Sequence, residues 1–468
     1  MRDMQTLDSG SEIDGFRLGE VIHAGSMATI HRLTGRDGPL PLVIKIPRLG
    51  PGERAVNVIA FEVCRMVLGA LPQSSHHPTL VAFGDIETTP YLVMEHVDGA
   101  RLDDWVRRAP IAAQEIARLG SALALALNDV HQHDVAHLDL KPTNVLYRAS
   151  GEAVLVDFGL AHHGHYPDLL AEELRFPVGN WIYMAPEQVV GVRGDPRSDI
   201  FALGAILYEL ATGRFPFGNP STRAELRRRL YRDPVPPRAV VAETPGWLQE
   251  IILHCLEIDA RERYASAAQV AFDLANPAHV TLTERASRKR AASWPSLARR
   301  WLRARRFEPA PRSGPSTAIG PTPIVVVAID PAQAEDALFE ALQNAARRLV
   351  AADDRCRIAC VTAVPPAVTL SGDRYENTAT GRHIKHLLKL RRWARPLELA
   401  EERVTYHVLE SDKPAATLIE YATMNDVDHV LMGAPRDGTS PRLFPGVSAQ
   451  VTAQAPCTVT VVRARALS

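Results

Sequence analysis

The stretch His137-Leu138-Asp139-Leu140-Lys141-Pro142-Thr143-Asn144, followed after Val145-Leu146 by a β-hairpin pattern and then by Asp157-Phe158-Gly159, decides how this 468-residue chain is read. An acid, a lysine and an amide lie in one short loop, and the hairpin returns a second acid towards them. Asp139 can accept the proton of a hydroxyl group, and Lys141 can reach a phosphate. Asn144 and Asp157 offer oxygen atoms from opposite sides of the hairpin, the donor type that suits Mg²⁺, a hard ion that takes carboxylate, amide and water oxygens. These are the parts that phosphoryl transfer asks of a protein: little covalent chemistry, but a proton acceptor, cations at the phosphates and metal ligands.

Motifs on both sides of this stretch resemble those of the protein kinases, in that family's order from Phe16 to about Ala275. The Asp-x-Lys-Pro-x-Asn form is similar to the serine/threonine branch, and eukaryotic-like kinases of bacterial type are the resemblance. It implies a bilobal α+β fold, ATP and Mg²⁺ as cofactors, and protein substrates as partners. It also implies a catalytic set of Asp139, Lys141, Lys45 and Glu62, in which Lys45 of Val43-Ile44-Lys45 contacts the α/β-phosphates and Glu62 is its helix partner. Met66 would stack towards Phe83, Phe158 and His137. Met94-Glu95-His96-Val97 looks like the hinge, with Met94 as gatekeeper and the backbone of Glu95 and Val97 facing adenine. Ile22, Gly25, Ile30, Val43 and Leu146 would complete the nucleotide pocket, and Asn144 and Asp157 would hold the metal. Ala185-Pro186-Glu187 closes the activation segment, Asp199 begins a buried central helix, and Arg263 is the expected ion-pair partner of Glu187.

Several positions depart from that pattern. The Gly-x-Gly-x-x-Gly loop falls on His23-Ala24-Gly25-Ser26-Met27-Ala28, so the middle glycine alone survives; it is the one that lets backbone N–H groups approach the phosphates. Val43 stands above the adenine where alanine is usual and narrows the pocket. These losses raise an alternative, a pseudokinase acting as a nucleotide sensor or scaffold through its second domain; the retention of Lys45, Glu62, Asp139, Lys141, Asn144 and Asp157 favours active transfer. Leu138 replaces the arginine that many relatives use to bind a phosphate on the activation loop, and Leu160 to Met184 holds no Ser or Thr. Control by phosphorylation of that loop is therefore not expected, and order should come from packing of Leu169, Leu170, Leu174, Phe176 and Val178 or from the second domain. Asn180 replaces a threonine, and its amide is expected to bond towards Asp139 and Lys141. His162, His163 and His165 read as exposed residues rather than a zinc site, because no Cys or carboxylate stands at ligand spacing.

A chain this long exceeds one ordinary core. Its formal net charge of -1 excludes a global field for nucleic acid, and five scattered cysteines without Cys-x-x-Cys spacing point away from a disulfide framework. No signal peptide and no run of ~20 apolar residues is present, so the reading is cytoplasmic, without a transmembrane segment. We read residues 14–276 as the kinase domain and 277–322 as a basic and Pro/Ser-rich linker. In it Trp294, Leu297, Trp301 and Leu302 punctuate the arginines, with the tryptophans expected to dock on the preceding lobe and Ser287 or Ser293 as acceptor sites. Residues 323–465 form a second, α/β domain. There PIVVVAI, CRIACVTAV, RVTYHVL, DHVLMG and CTVTVV are apolar strands alternating with helical or loop segments, the pattern of a five-stranded parallel sheet covered by helices. Ile324 to Asp330 and the chain's end resemble a universal stress protein. ATP-binding members carry Gly-x-x-Gly, nine residues, then Gly-Ser/Thr; Gly433 and Gly446 match, but Arg436 and Val447 do not, although Gly438 and Ser448 are adjacent. The domain could instead dimerise, giving a homodimer.

Overall fold

The computed structural model describes residues 9–463 apart from 35–39, 50–54, 87, 171–177, 291–296, 298–299, 303, 305–306, 308, 310–322, 331–335, 354, 366–378, 401–402 and 435–445. Strands β1 (Glu12–Ile13), β2 (Phe16–Ala24), β3 (Ala28–Thr34), β4 (Leu42–Pro47), β5 (Leu80–Gly84) and β6 (Tyr91–Glu95) make an antiparallel sheet in the order β1-β2-β3-β4-β6-β5. One face buries Phe16, Leu18, Ile44, Ile46, Tyr91 and Val93. The register that sets Ile44 opposite Val93 and Lys45 opposite Leu92 sends the Lys45 side chain to the other face, since neighbouring residues of a strand point to opposite sides.

Helix α1 (Ala55–Ala70) crosses beside this sheet and is apolar nearly all round; Val58, Ile59, Ala60, Phe61, Val63, Cys64, Val67 and Leu68 are buried. A helix with that character must be covered on every side, and here the covering comes from both domains. Below it, α2 (Ala113–Gln132), α3 (Arg197–Thr212), α4 (Gly246–Cys255) and α5 (Ala267–Ala275) form a helical lobe. In α3 every residue from Ser198 to Thr212 is buried, so the apolar run is a core helix and not a span. Gly213 ends it in the left-handed conformation (φ 65°), its N–H capping Glu209 O at 2.7 Å. The hairpin β7 (Val145–Tyr147) and β8 (Ala153–Leu155) sits between the lobes.

In the second domain β9 (Ile324–Ala328), β10 (Arg357–Val364), β11 (Val404–Glu410), β12 (His429–Gly433) and β13 (Thr458–Val462) form the five-stranded parallel sheet, in the order β11-β10-β9-β12-β13. Its strands are apolar on both faces because helices lie on both. Helices α6 (Asp336–Ala352) and α7 (Ala379–Ala394) contribute Leu342, Ala346, Ile384, Leu387, Leu390 and Trp393 to one side. Helices α8 (Pro414–Met424) and α9 (Val447–Gln454) contribute Leu418, Tyr421 and Val451 to the other. The first of these cores does not end at the domain edge: Leu49, Val58 and Ile86 of the amino-terminal lobe belong to the same buried cluster.

Two linker readings change. Thr283–Arg288 is held on the helical lobe by Glu250, Glu257 and Gln249, with Thr283 Oγ1 donating to Glu250 at 2.9 Å and Arg285 Nε to Glu257 at 2.8 Å. Further on, Trp301 and Leu302 are 48% and 59% exposed, and Ala304 and Phe307 pack against the lobe. Ala304 is buried among Met184, Val189, Leu226 and Leu230. Ser293 and Trp294 lie outside the described residues. Among those described, no helix is long and apolar enough to cross a membrane.

Candidate active site

The residues of the loop from His137 to Asn144 converge because α3 holds its backbone. Asp199, fully buried, accepts the N–H groups of His137 and Leu138 at 2.8 Å each and the His131 ring nitrogen at 2.9 Å. Leu138 is thereby kept at φ 60°, a conformation an L-residue avoids. Gln188 adds a bond to its carbonyl at 3.0 Å. The turn presents Asp139 into the cleft, where Oδ2 accepts from Lys141 Nζ at 2.6 Å and Asn144 Nδ2 at 3.3 Å, and Oδ1 accepts the Asn180 N–H at 3.1 Å. Asn144 also reaches the Asp139 carbonyl at 3.0 Å. Asn180 thus contributes its backbone and not its amide, which is turned to accept from Ile182 N–H at 3.0 Å.

Across the hairpin Asp157 also stands in the left-handed region, at φ 67°. Its Oδ1 meets Lys45 Nζ at 2.7 Å, while 42% of the Asp157 side chain remains open to the cleft. The Lys45 ammonium holds the Asp157 carboxyl down at about 2, against the opposing effect of burial. Burial opposes the charge on Lys45, but the Asp157 carboxylate outweighs it and raises the ammonium above its ordinary range. Asn144 and Asp157 together form the all-oxygen donor set that a Mg²⁺ ion would take. At the hinge, Glu95 turns its side chain onto Arg148 at 2.6 Å. Val43 is buried beside it, whereas Ile22 is 40% exposed on β2.

The expected Lys45–Glu62 pair is not made. Glu62 Oε1 accepts from Arg391 Nη2 of α7 at 2.7 Å, and Oε2 accepts from Arg65 at 3.1 Å. Helical geometry gives the reason. Ala60 lies closest to Gly159, and the Cys64 thiol meets the backbone of Phe158; residue 62, two positions from each, is rotated about 200° away. The expected stack is also incomplete. Phe158 lies 5.0 Å from the His137 ring, but Phe83 is 43% exposed with the Arg65 guanidinium 5.1 Å from its centroid.

The activation-segment histidines are not exposed. His163 and His165 are 8% and 7% accessible, and His165 Nε2 bonds Asp134 at 2.9 Å. Burial first, then the Arg357 guanidinium, push His163 down to about 3, so it is neutral. The second domain covers this strip: Arg357 reaches the His165 carbonyl and lies 4.0 Å from the Tyr166 ring centroid, and Asn425 Oδ1 accepts the Asp168 N–H at 2.8 Å. Asp168 is further tied to Arg193 at 2.7 Å. Leu170 is fully buried, while Leu174 and Phe176 lie outside the described residues. Among those described, no cluster of His, Cys, Asp and Glu suits a metal ion.

Sequence reading missed Gly179. Its φ is 120°, and a Cβ there would stand 3.2 Å from Asp139 Oδ1, so a side chain would crowd the carboxylate. Its neighbour Asn180 carries the N–H that orients Asp139, which is the signal a search of the loop for main-chain donors would have followed. In the second domain Gly446 caps α9 and Ser448 is buried; Arg436 and Gly438 lie outside the described residues.

Comparison with known proteins agrees with both folds. Residues 62–273 match the protein kinase domain and residues 322–463 the universal stress protein family. The first match begins past the strands that carry the depleted glycine loop. A serine/threonine-protein kinase of Myxococcus xanthus, Pkn1, is 35% identical over 282 residues, covering 58% of this chain and 38% of that protein. PknB of Mycolicibacterium smegmatis and of Mycobacterium tuberculosis are 31% and 30% identical over 269 residues, covering 56% of this chain and 42% of theirs. The chain thus spans about two fifths of the length of these curated relatives. It carries a protein kinase domain of the bacterial serine/threonine type, joined to a domain of the universal stress protein family.

Proposed function

We propose that this protein transfers the γ-phosphate of ATP to serine and threonine hydroxyls of protein substrates, in signalling that its second domain couples to stress. The observation that carries the reading is the Asp139 carboxylate, fixed in the cleft by three donors on a strained loop that α3 anchors. Asp139 would orient the acceptor hydroxyl and take its proton. Lys141, whose ammonium lies 2.6 Å from that carboxylate, would meet charge developing on the transferred group. Asn144 and Asp157 would hold Mg²⁺, which when bound neutralises phosphate charge. The Asp157 carboxyl, held at about 2, is ionised over the physiological range as this requires. Lys45 would move from Asp157 to the α/β-phosphates, and Met94, Glu95, Val97, Val43, Ile22, Ile30, Leu146 and Gly25 would line the nucleotide. The second reading, a silent nucleotide sensor or scaffold, draws on the Lys45–Asp157 pair, which occupies a metal-ligand oxygen. Comparing phosphoserine and phosphothreonine peptides between cells with wild-type protein and with Asp139→Asn tests the proposal. A set of sites lost in the variant is expected; identical phosphopeptide profiles would overturn it.

A further inference from the structure

Lys45 has Asp157 as its partner, and the glutamate expected to pair with it has been taken by the second domain. Lys45 is on Asp157 at 2.7 Å, while Glu62 is held on the opposite side of α1. The Arg391 guanidinium holds it there, forking between Glu62 Oε1 at 2.7 Å and both oxygens of Asp85 at 3.0 Å, and lying 5.3 Å from the Tyr406 ring centroid. With a side chain 12% exposed, this arginine belongs to the second domain and grips two acids of the kinase domain.

The grip is part of a continuous surface. On α1, Val58, Glu62, Arg65 and Gly69 recur at the spacing of one helical face, and that face looks onto Leu387, Thr405 and Tyr406. Val58 and Ile86 are buried in the core of the second domain. At the far end of the same contact Asn425 and Arg357 hold the activation segment at Asp168 and His165. A cavity of about 290 Å³ remains between the two bodies, lined by Glu62, Met66, Phe83, Leu169 and Tyr406. The apolar and ionic contacts therefore span both the helix that bears Glu62 and the segment that follows Asp157.

We infer that the second domain is a clamp that holds the kinase domain off, with Arg391 sequestering Glu62 so that Lys45 stays on Asp157 and occupies an oxygen the metal needs. Freed from Arg391, α1 can turn about its axis and carry Glu62 round to Lys45, so that Asp157 is released to the cleft. Regulation through this face replaces a loop phosphate, for which Leu138 offers no partner. The inference rests on the kinase reading above, and two readouts separate them.

The test compares full-length wild type with Arg391→Ala, measuring the initial rate of γ-phosphate transfer to a generic casein substrate and hydrogen exchange across residues 55–70. Loss of a charge-assisted contact of this kind should raise the rate about tenfold or more and speed exchange in α1. Adding Glu62→Ala should abolish the gain. Should Arg391→Ala fail to fold, Arg391→Lys keeps the charge but cannot fork to both acids, and it should show a smaller rise in both readouts. Where the wild type transfers phosphate, an equal or lower rate in a folded variant would overturn the clamp, as would unchanged exchange in α1. Faster exchange without transfer by either protein would leave the clamp standing and remove the kinase reading instead.

Discussion

Replacing Arg263 with methionine strands a buried charge whose surroundings are fully described. The Arg263 guanidinium is 0% exposed and forks onto Glu187 at 2.7 and 2.8 Å. It also donates to the Glu257 and Arg197 carbonyls and lies 5.0 Å from the Phe201 ring centroid. Methionine fills most of the stem's volume but leaves the Glu187 carboxylate, 4% exposed, with the Ser198 hydroxyl at 2.7 Å. Breaking one side of a buried pair costs about 3–5 kcal/mol. In a domain of this size each kcal/mol moves the melting temperature by about 2–4 °C, so the loss is on the order of 6–20 °C.

The sign of the pH dependence follows from the same contacts. Burial pushes the Glu187 carboxyl up, and Arg263 more than reverses it, so the folded group titrates below the ordinary glutamate range. The stabilisation is present above the unfolded pKa and is lost as pH falls through the folded one. In Arg263→Met the Ser198 hydroxyl remains but the guanidinium that outweighed burial is gone, so the carboxyl takes up a proton more readily and the gap between wild type and variant should narrow towards about pH 4.5. Thermal unfolding followed by circular dichroism at neutral and mildly acid pH reads both effects, and Glu187→Leu added to Arg263→Met should restore most of the loss. A single-variant penalty under about 1 kcal/mol, or a gap that widens in acid, would refute this reasoning.

Two further outcomes follow from the site. Phosphatase-treated protein should keep its initial rate on an external substrate, since the activation segment has no Ser or Thr and Leu138 no charge; a large loss traced by mass spectrometry to a residue between Leu160 and Met184 would contradict this. Asp157→Asn should make nucleotide affinity insensitive to Mg²⁺ in a titration with and without the metal, because the variant keeps an oxygen but loses the ionised carboxylate that Lys45 now holds at about 2; an unchanged Mg²⁺ dependence would place the metal elsewhere.

The features legible in the sequence are those set by neighbours along the chain. The loop from His137 to Asn144 carries its own geometry, and five apolar strands separated by helices announce a covered parallel sheet. What escaped reading depends on residues brought together from afar. Glu62 and Arg391 are separated by 329 positions, and no periodicity in either helix says that they meet. His163 and His165 looked exposed because polar residues in a loop usually are; Asp134 and the second domain bury them. Asn180 was judged by its side chain, although its main-chain N–H carries the contact with Asp139. Trp301 looked like an anchor by its size, yet Ala304 and Phe307 occupy the groove.

Incorporation of radiolabel from γ-labelled ATP by the purified full-length protein, with Asp139→Asn beside it and Mg-ATP binding measured for both, tests the central claim most directly. Label on serine and threonine of the protein itself or of a casein, lost by about 10²-fold or more in the variant while binding persists, is the predicted result for a group that takes a proton in the transition state. Transfer by neither protein with binding intact, or equal transfer by both, would contradict it.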